Sequence, residues 1–344
     1  MQDIAVAIVN YRTPDLTLDC VASLVPARVA FPTLRVVVVD GGSADGSAQR
    51  IADGIAARGY GDWVTLLPLP VNGGFAFANN RAIATLLEKG PTPQGIALIN
   101  PDARVRPGAL ERMAALLDRE PQSGAVGALL IHEDGRPQSS AFHFPSIRSE
   151  FCRGAATGVI DWLLRVPHSR IDSDVAITVP WVTGAAVMLR TAALADVGLF
   201  DEGFFLYFEE TELMRRLRDH GWTIWHEPAA QVVHDGGAAT QIRDPETGMP
   251  YARPMPIYWY EARRRYFSLG RGRILGLGSG LAWLAGRLGW YVRRMLTFSA
   301  HSGPRREIRD LIRHGLWPSR FDVTTAVRPL DSPTADKPAW MTWR

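Results

Sequence analysis

Three acids and a histidine in this chain are spaced so that they could serve one reaction. Glu209 and Glu210 open a helical pattern directly after the aromatic run Phe204-Phe205-Leu206-Tyr207-Phe208, and His234 ends the apolar run Val232-Val233. Upstream, the triplet Asn100-Pro101-Asp102 closes another apolar run. A carboxylate at a helix start can take the proton from an attacking hydroxyl. A hard carboxylate or amide oxygen and an imidazole nitrogen suit a divalent cation such as Mg²⁺ or Mn²⁺, which offsets the charge of a departing anion. Plainer readings stand beside these: first-turn acids complement a helix dipole, an N-P-D triplet makes an Asx-type turn, and a lone histidine at a strand end packs in a core.

The elements that must hold these residues are legible in the N-terminal half. Short apolar runs alternate with helical patterns, as a parallel α/β sheet with crossover helices requires. The strands are predicted over Ile4 to Asn10, Leu34 to Asp40, Trp63 to Leu67 and Gly95 to Asn100. Three of them end in Asn10, Asp40 or Asn100, so the site is expected along their C-terminal edge, where open α/β sheets take ligands. Pro107 to Arg119 reads as a helix, Asp134-Gly135 as a hairpin turn, and residues 143 to 180 carry no clear period. Trp181 to Arg190 reads as a strand pair through Gly184, followed by a helix from Glu209 to Gly221.

Two loops on that edge could meet a nucleotide. Asp40, leading Gly41-Gly42-Ser43-Ala44-Asp45-Gly46, can accept a ring N–H from a pyrimidine base, or it can open a turn in which Asp45 caps the next helix. Asn72-Gly73-Gly74-Phe75 begins a helix that carries Asn79 and Asn80, so its backbone N–H groups could face a diphosphate. The first strand runs into Asn10-Tyr11-Arg12-Thr13-Pro14-Asp15, with neither a G-x-G-x-x-G turn nor a P-loop, which disfavours a dehydrogenase or a kinase. The glycine-rich turn ending in arginine of sugar nucleotidyltransferases is missing there too.

The chain has 344 residues, of which 47% are hydrophobic and 21% charged, enough for a substantial core. Cys20 and Cys152 lie far apart in no metal-like spacing, which points to a reducing compartment and two buried thiols. The first residues lead straight into an apolar strand without an export-signal pattern, so a cytoplasmic location is expected. Net charge is only +3, yet fourteen arginines face three acids between Arg253 and Arg320. The predicted organisation is a catalytic domain over 1–250, a basic helical arm over 251–320 and a poorly ordered tail over 321–344.

Taken in order, these motifs resemble the inverting family 2 glycosyltransferases of GT-A fold, in particular the bacterial rhamnosyltransferases, over roughly residues 4 to 240. The resemblance implies an α/β fold with a mixed Rossmann-like sheet. It also implies transfer of a sugar, with dTDP-L-rhamnose as donor, to a glycan or polyprenyl-diphosphate-linked saccharide in cell-surface polysaccharide synthesis. Carried over residue by residue, it makes Glu210 the base, with Glu209 orienting an acceptor hydroxyl or an arginine. Asn10, Asp40, Asn72, Gly73, Gly74, Phe75, Asn80 and Asn100 would meet the donor. Trp181, Gly184, Asp201 and Glu202 would lie on the acceptor side, and Asp102, His234 and Asn100 would hold the divalent metal. Three departures have consequences: Asn100 removes a charge where many members have Asp, Gly41 replaces an Asn, and Glu210 reaches one methylene further than the commoner Asp. A non-catalytic sugar-nucleotide or glycan-binding module, or a membrane-surface scaffold, is the alternative.

The basic arm carries Leu277, Leu281, Leu284, Leu288, Tyr291, Met295 and Phe298 at alternating spacings of four and three, an apolar stripe on one helical face. Its charge-free run from 274 to 286 is shorter than the about 20 residues a membrane span needs. An interfacial helix on the anionic inner face of the membrane is expected, with arginines snorkelling and Trp283 and Trp290 at headgroup level. The other reading packs this helix on the catalytic body or in a homo-oligomer. Arg263-Arg264-Arg265 reads either as surface charge or as a seat for an acceptor diphosphate. No nucleic-acid-binding pattern accompanies the charge.

Overall fold

The computed structural model describes residues 1, 3–234, 254–297, 306–332 and 335–343. The 250 boundary, Asp235 to Gly237 after the histidine, and Phe298 of the stripe lie outside them. In chain order the elements are β1 (Ile4–Asn10), α1 (Pro14–Ser23), β2 (Arg35–Asp40), α2 (Ser47–Ala57), β3 (Val64–Pro68), α3 (Gly74–Glu88), β4 (Gly95–Ile99), β5 (Ala103–Val105), α4 (Ala109–Arg119) and β6 (Ser123–Ile131). There follow β7 (Ala141–Phe142), α5 (Ile147–Ala155), α6 (Gly158–Leu163), β8 (Arg170–Ile171), β9 (Ile177–Thr178), β10 (Trp181–Val182), β11 (Ala186–Arg190), α7 (Thr191–Val197), α8 (Glu209–Asp219) and β12 (Thr223–His234). The chain continues with α9 (Ile257–Ser268) and α10 (Arg273–Leu296).

The main sheet runs β3-β2-β1-β4-β11-β6-β12-β5, with β9 added against β12. Strands β3, β2, β1 and β4 are parallel, β11 lies antiparallel between β4 and β6, and β12 is parallel to β6. The parallel strands are apolar on both faces because helices cover both, and two buried clusters fill the layers on either side. Register then sets the site. Asn10 pairs with Asp40 at the ends of β1 and β2, Ile8 pairs with Ile99 just before Asn100, and His234 pairs with Ala103 beside Asp102.

Each of the four predicted N-terminal strands forms, displaced by no more than a residue at an end. Trp181 to Arg190 is different: β10 and β11 do not pair with each other. β10 joins β7 and β8 in a small second sheet, while β11 enters the main sheet, so Gly184 marks the crossing between two layers. Residues 143 to 180 hold two short helices and two-residue strands, too brief to show a period in sequence.

The C-terminal region is built into the body. On α9, Arg263 is fully buried, donates to Glu150 of α5 at 2.5 Å and to the Ser279 carbonyl of α10 at 2.8 Å, and lies over the rings of Trp283 and Phe267. Arg264 pairs with Asp322, and Arg265 with Asp201 at 2.6 Å. The triple arginine is therefore neither surface charge nor a phosphate seat: each charge is taken by an acid from elsewhere in the chain. Helices α5 and α10 touch backbone to backbone where Gly154 meets Gly286; a Cβ on Gly286 would lie 2.1 Å from the Phe151 carbonyl. Trp283 and Trp290, expected at headgroup level, are buried, and Arg287, expected to snorkel, is buried against Glu307 at 2.8 Å. The tail also packs: Leu199 N–H donates to the Arg328 carbonyl, and the Trp340 indole donates to the Gly73 carbonyl at 2.9 Å.

Candidate active site

At the C-terminal edge of β1 and β2, Asp40 is buried and its Oδ1 accepts from Asn10 Nδ2 at 2.7 Å and from Ser43 Oγ at 2.6 Å. The Asn10 oxygen is used internally, by Thr13 and by Thr17. Asn10 thus aims Asp40, where the sequence reading placed it against the donor itself. The Asp40 loop packs on the second loop through Gly42, whose φ is +72° and where a Cβ would lie 2.5 Å from the Val71 carbonyl carbon. Asn72 Oδ1 accepts from Gly74 N–H, and Gly74 presses on the Phe205 carbonyl, where a Cβ would lie at 1.9 Å. Phe75 N–H donates to that same carbonyl at 2.9 Å. These contacts fix the Asn72–Phe75 loop against the segment that leads into α8.

Asn80, expected at the donor, is instead buried on α3. Its amide bonds the Phe200 backbone at both ends and reaches Glu202 at 3.1 Å. Glu202 also pairs with Arg328, and Asp201, wholly buried, holds Arg265 and the Ala326 N–H. Asp201 and Glu202, expected on the acceptor side, fasten α3, α9 and the C-terminal segment to one another.

Across the edge, Asp102 Oδ1 lies 3.4 Å from His234 Nε2, both largely buried. Gln138 faces the other ring nitrogen of His234 at 3.4 Å and donates to its carbonyl at 2.5 Å, so Nε2 is the nitrogen left toward Asp102. Donors sharing one Mg²⁺ at right angles lie about 3 Å apart, so a carboxylate oxygen and an imidazole nitrogen at this spacing fit such an ion. Asn100 presents its amide nitrogen to His234 at 3.4 Å, which is no metal ligand as drawn; turning the amide over would present its oxygen. Among the described residues no third carboxylate, histidine or cysteine joins the pair, so further ligands would come from a bound diphosphate and water. Gln138 was not anticipated, because a polar residue after a hairpin turn carries no signal in sequence.

The paired acids Glu209 and Glu210 follow a strained entry. Tyr207 and Phe208 both have positive φ, +74° and +68°, and are held by Tyr258, Trp259 and Tyr266 of α9. Glu209 is buried, whereas Glu210 is partly exposed. Gly184 lies beside both Glu210 and Phe75: a Cβ there would be 3.6 Å from the Glu210 Cβ and 3.3 Å from the Phe75 ring. Burial pushes both carboxyls up, and the charge of Glu210 pushes Glu209 up further, while backbone N–H groups, among them that of Gly184, oppose the rise at Glu210. The Oε2 atoms of both are buried without a hydrogen-bond partner among the described residues. Glu209 is the more strongly raised of the two, so its ionised form is the more disfavoured. Glu212, one turn on, instead grips Arg216 through both oxygens at 2.9 Å.

The family model for glycosyl transferase family 2 matches residues 5–198. N-acetylglucosaminyl-diphospho-decaprenol L-rhamnosyltransferase of Mycobacterium tuberculosis strain H37Rv is 29% identical over 289 residues, 80% of this chain and 85% of that protein. Rhamnosyltransferase WbbL of Escherichia coli K12 is 27% identical over 168 residues, 47% of this chain and 60% of that protein. Among solved structures, mannosyltransferase PcManGT from Pyrobaculum calidifontis, in complex with GDP-Man and Mn²⁺, superposes with a TM-score of 0.52 at 16% identity, covering 87% of this chain and 77% of that one. GalNAc-T7 with UDP, GalNAc and Mn²⁺ gives 0.51 at 14% identity, covering 86% and 57%. With a family model matched over more than half its length and a mixed sheet shared with these solved structures, the chain belongs to glycosyl transferase family 2, an enzyme of GT-A fold.

Proposed function

We propose that this glycosyltransferase moves L-rhamnose from dTDP-L-rhamnose, with inversion, to a saccharide carried on a polyprenyl diphosphate. The observation that carries the reading is the position of Glu210, partly exposed and beside Gly184, which also touches the Phe75 ring, with Asp102 facing His234 across the sheet edge. The Mycobacterium relative, named for rhamnosyl transfer to a lipid-linked N-acetylglucosamine, supports the choice of donor and acceptor. Glu210 takes the proton of the attacking hydroxyl as the bond to the anomeric carbon forms from the face opposite the leaving diphosphate. Glu209, neutral, keeps a second negative charge away from that diphosphate. Asp40, held by Asn10 and Ser43, meets the base of the nucleotide. Asp102 and His234 would hold Mg²⁺ or Mn²⁺, which supplies charge compensation for the departing diphosphate.

The enzyme works on the inner membrane face in this reading. Among the described residues no helix is long and apolar enough to cross a membrane. Helix α10 buries one side on α5 and α9 and turns Ile274, Leu281, Leu288, Val292, Met295 and Leu296 outward, with no acid along its length. That face suits the boundary of an anionic bilayer.

The test is incubation with dTDP-L-rhamnose and a farnesyl-diphospho-N-acetylglucosamine, with the anomeric configuration of the product read by NMR. Transfer with inversion, lost in Glu210→Gln, is the expected result. Turnover of another nucleotide sugar but not of dTDP-L-rhamnose would overturn the donor assignment.

A further inference from the structure

A cavity of about 790 Å³ lies between the small second sheet and helices α5 and α6, outside the donor loops and the acid pair. We propose that it seats the saccharide-diphosphate head of the lipid-linked acceptor, with the prenyl chain leaving past α6 along the apolar face of α10. The inference rests on the acceptor class proposed above.

Four observations carry it. The first is position. One wall is Trp181 on β10, the strand that packs on α8, and the chain runs from it in three residues to Gly184 beside Glu210, so the cavity wall and the acid pair share neighbouring elements. The second is the surface of that wall. Trp181 stacks on Phe142 with centroids 4.5 Å apart, and its indole N–H is spent on the His143 carbonyl at 3.0 Å. A locked aromatic platform of this kind offers a flat apolar face to the C–H side of a sugar ring.

The third is charge. Arg153 lines the cavity, and its near acid, Glu150 at 3.7 Å, is already engaged by the buried Arg263 at 2.5 Å. Arg153 is half-exposed and carries charge that Glu150 does not fully neutralise, as a diphosphate needs. Asp161 lines the same space beside the Cys152 thiol, and its Oδ1 has no hydrogen-bond partner among the described residues. The fourth is the far end. There α6 exposes Val159 at 66%, Trp162 at 77% and Leu163 at 63%. The turn before α6 is tied to α10 by Arg293, which donates to the Ala156 carbonyl at 3.2 Å. An aromatic platform, a cation and an apolar rim thus line one cavity, the three chemistries that a lipid-linked saccharide presents.

Gly158 lines the cavity, and a Cβ there meets no atom within 4 Å, so Gly158→Trp can fill the space without straining the fold. Arg153→Glu and Asp161→Asn alter its chemistry without filling it. The experiment titrates the full chain by calorimetry with farnesyl-diphospho-N-acetylglucosamine, with free N-acetylglucosamine in a second arm, and with dTDP as a check on the donor loops. The expected result is binding of the lipid-linked probe weakened about tenfold or more by Gly158→Trp and by Arg153→Glu, with dTDP affinity unchanged and free sugar much weaker. Equal binding of the lipid-linked probe by wild type and all three variants would overturn the cavity assignment and leave the proposed reaction standing. Free sugar binding as tightly as the lipid-linked probe would overturn it too. Cavity-dependent binding of a probe that accepts no rhamnose would support the seat and sink the rhamnosyl reading alone.

Discussion

Replacing Glu210 with Gln keeps size and hydrogen bonding but removes the proton acceptor, whereas the same change at Glu209 replaces the carboxyl that burial and its neighbour push up further. Both Oε2 atoms are buried without hydrogen-bond partners among the described residues, and burial disfavours the ionised form of each. The charge of Glu210 is among the causes that raise Glu209, and backbone N–H groups, among them that of Gly184, oppose the rise at Glu210, so Glu209 is the acid whose ionised form is more disfavoured. Glu210→Gln should therefore lower kcat by about 10²-fold or more, the usual scale for a lost general base, while Glu209→Gln stays within a few-fold of wild type. Since Glu210 must be ionised, kcat/KM should rise with pH through its raised value, with the acid limb above the ordinary carboxylate range. Stability carries the opposite sign. A carboxyl raised in the folded state contributes stability that is full below its unfolded pKa and is lost as pH rises through the folded one. Glu209→Gln removes that loss, so the thermal midpoint of the variant should exceed that of wild type increasingly toward neutral and higher pH. Steady-state kinetics and melting curves on the two variants decide it. An inactive Glu209→Gln beside an active Glu210→Gln, or an acid limb near pH 4, would refute the assignment.

Asp102→Asn and His234→Ala should weaken metal-dependent dTDP binding, and Gln138→Leu, which frees the imidazole to rotate, should lower metal affinity about 10- to 100-fold; exposed Glu88→Gln is the control, and full activity in excess EDTA would contradict the site. On the membrane, Leu281→Ser with Leu288→Ser and Val292→Ser alters only outward residues of α10 and should release the protein from anionic vesicles at low salt, read by co-sedimentation. A wild-type dimer in ultracentrifugation that the same triple variant dissolves, with no vesicle binding, would assign the face to a second copy instead. Glu150→Ala leaves Arg263 charged and unpaired in the core and should cost about 3–5 kcal/mol by denaturant unfolding, against well under that for exposed Asp53→Ala.

The N-terminal half of the fold was legible because its information is local. A strand that is apolar throughout and ends in or just before Asn or Asp announces a buried parallel sheet and its polar edge, and β1, β2 and β4 do this within a few residues each. The acid pair was legible for the same reason: aromatic residues directly before Glu209 and Glu210 say that this helix start is not solvated. Asn80, Asp201 and Glu202 read as site residues because they neighbour the motifs, yet their partners are Phe200, Arg265 and Arg328, and only the fold brings those together.

The arm shows why charge density misleads where burial is decided by distant residues. Consecutive arginines look like surface, since burying one costs several kcal/mol unless a partner is supplied. Here Glu150, Asp322 and Asp201 supply it from three separate segments, none within reach of a sequence window. The glycines of α10 were the available signal: Gly276, Gly280 and Gly286 sit where a Cβ would collide with the neighbouring segments, so close contact needs them there. Trp283, Trp290 and Leu284 fill the rest of the inner face, while Ile274, Leu281, Leu288, Val292, Met295 and Leu296 stay exposed. A stripe read from leucine spacing alone mixes the two faces: Leu284 belongs to the packed side and Leu281 and Leu288 to the outward one, and only the position of α5 and α9 tells them apart.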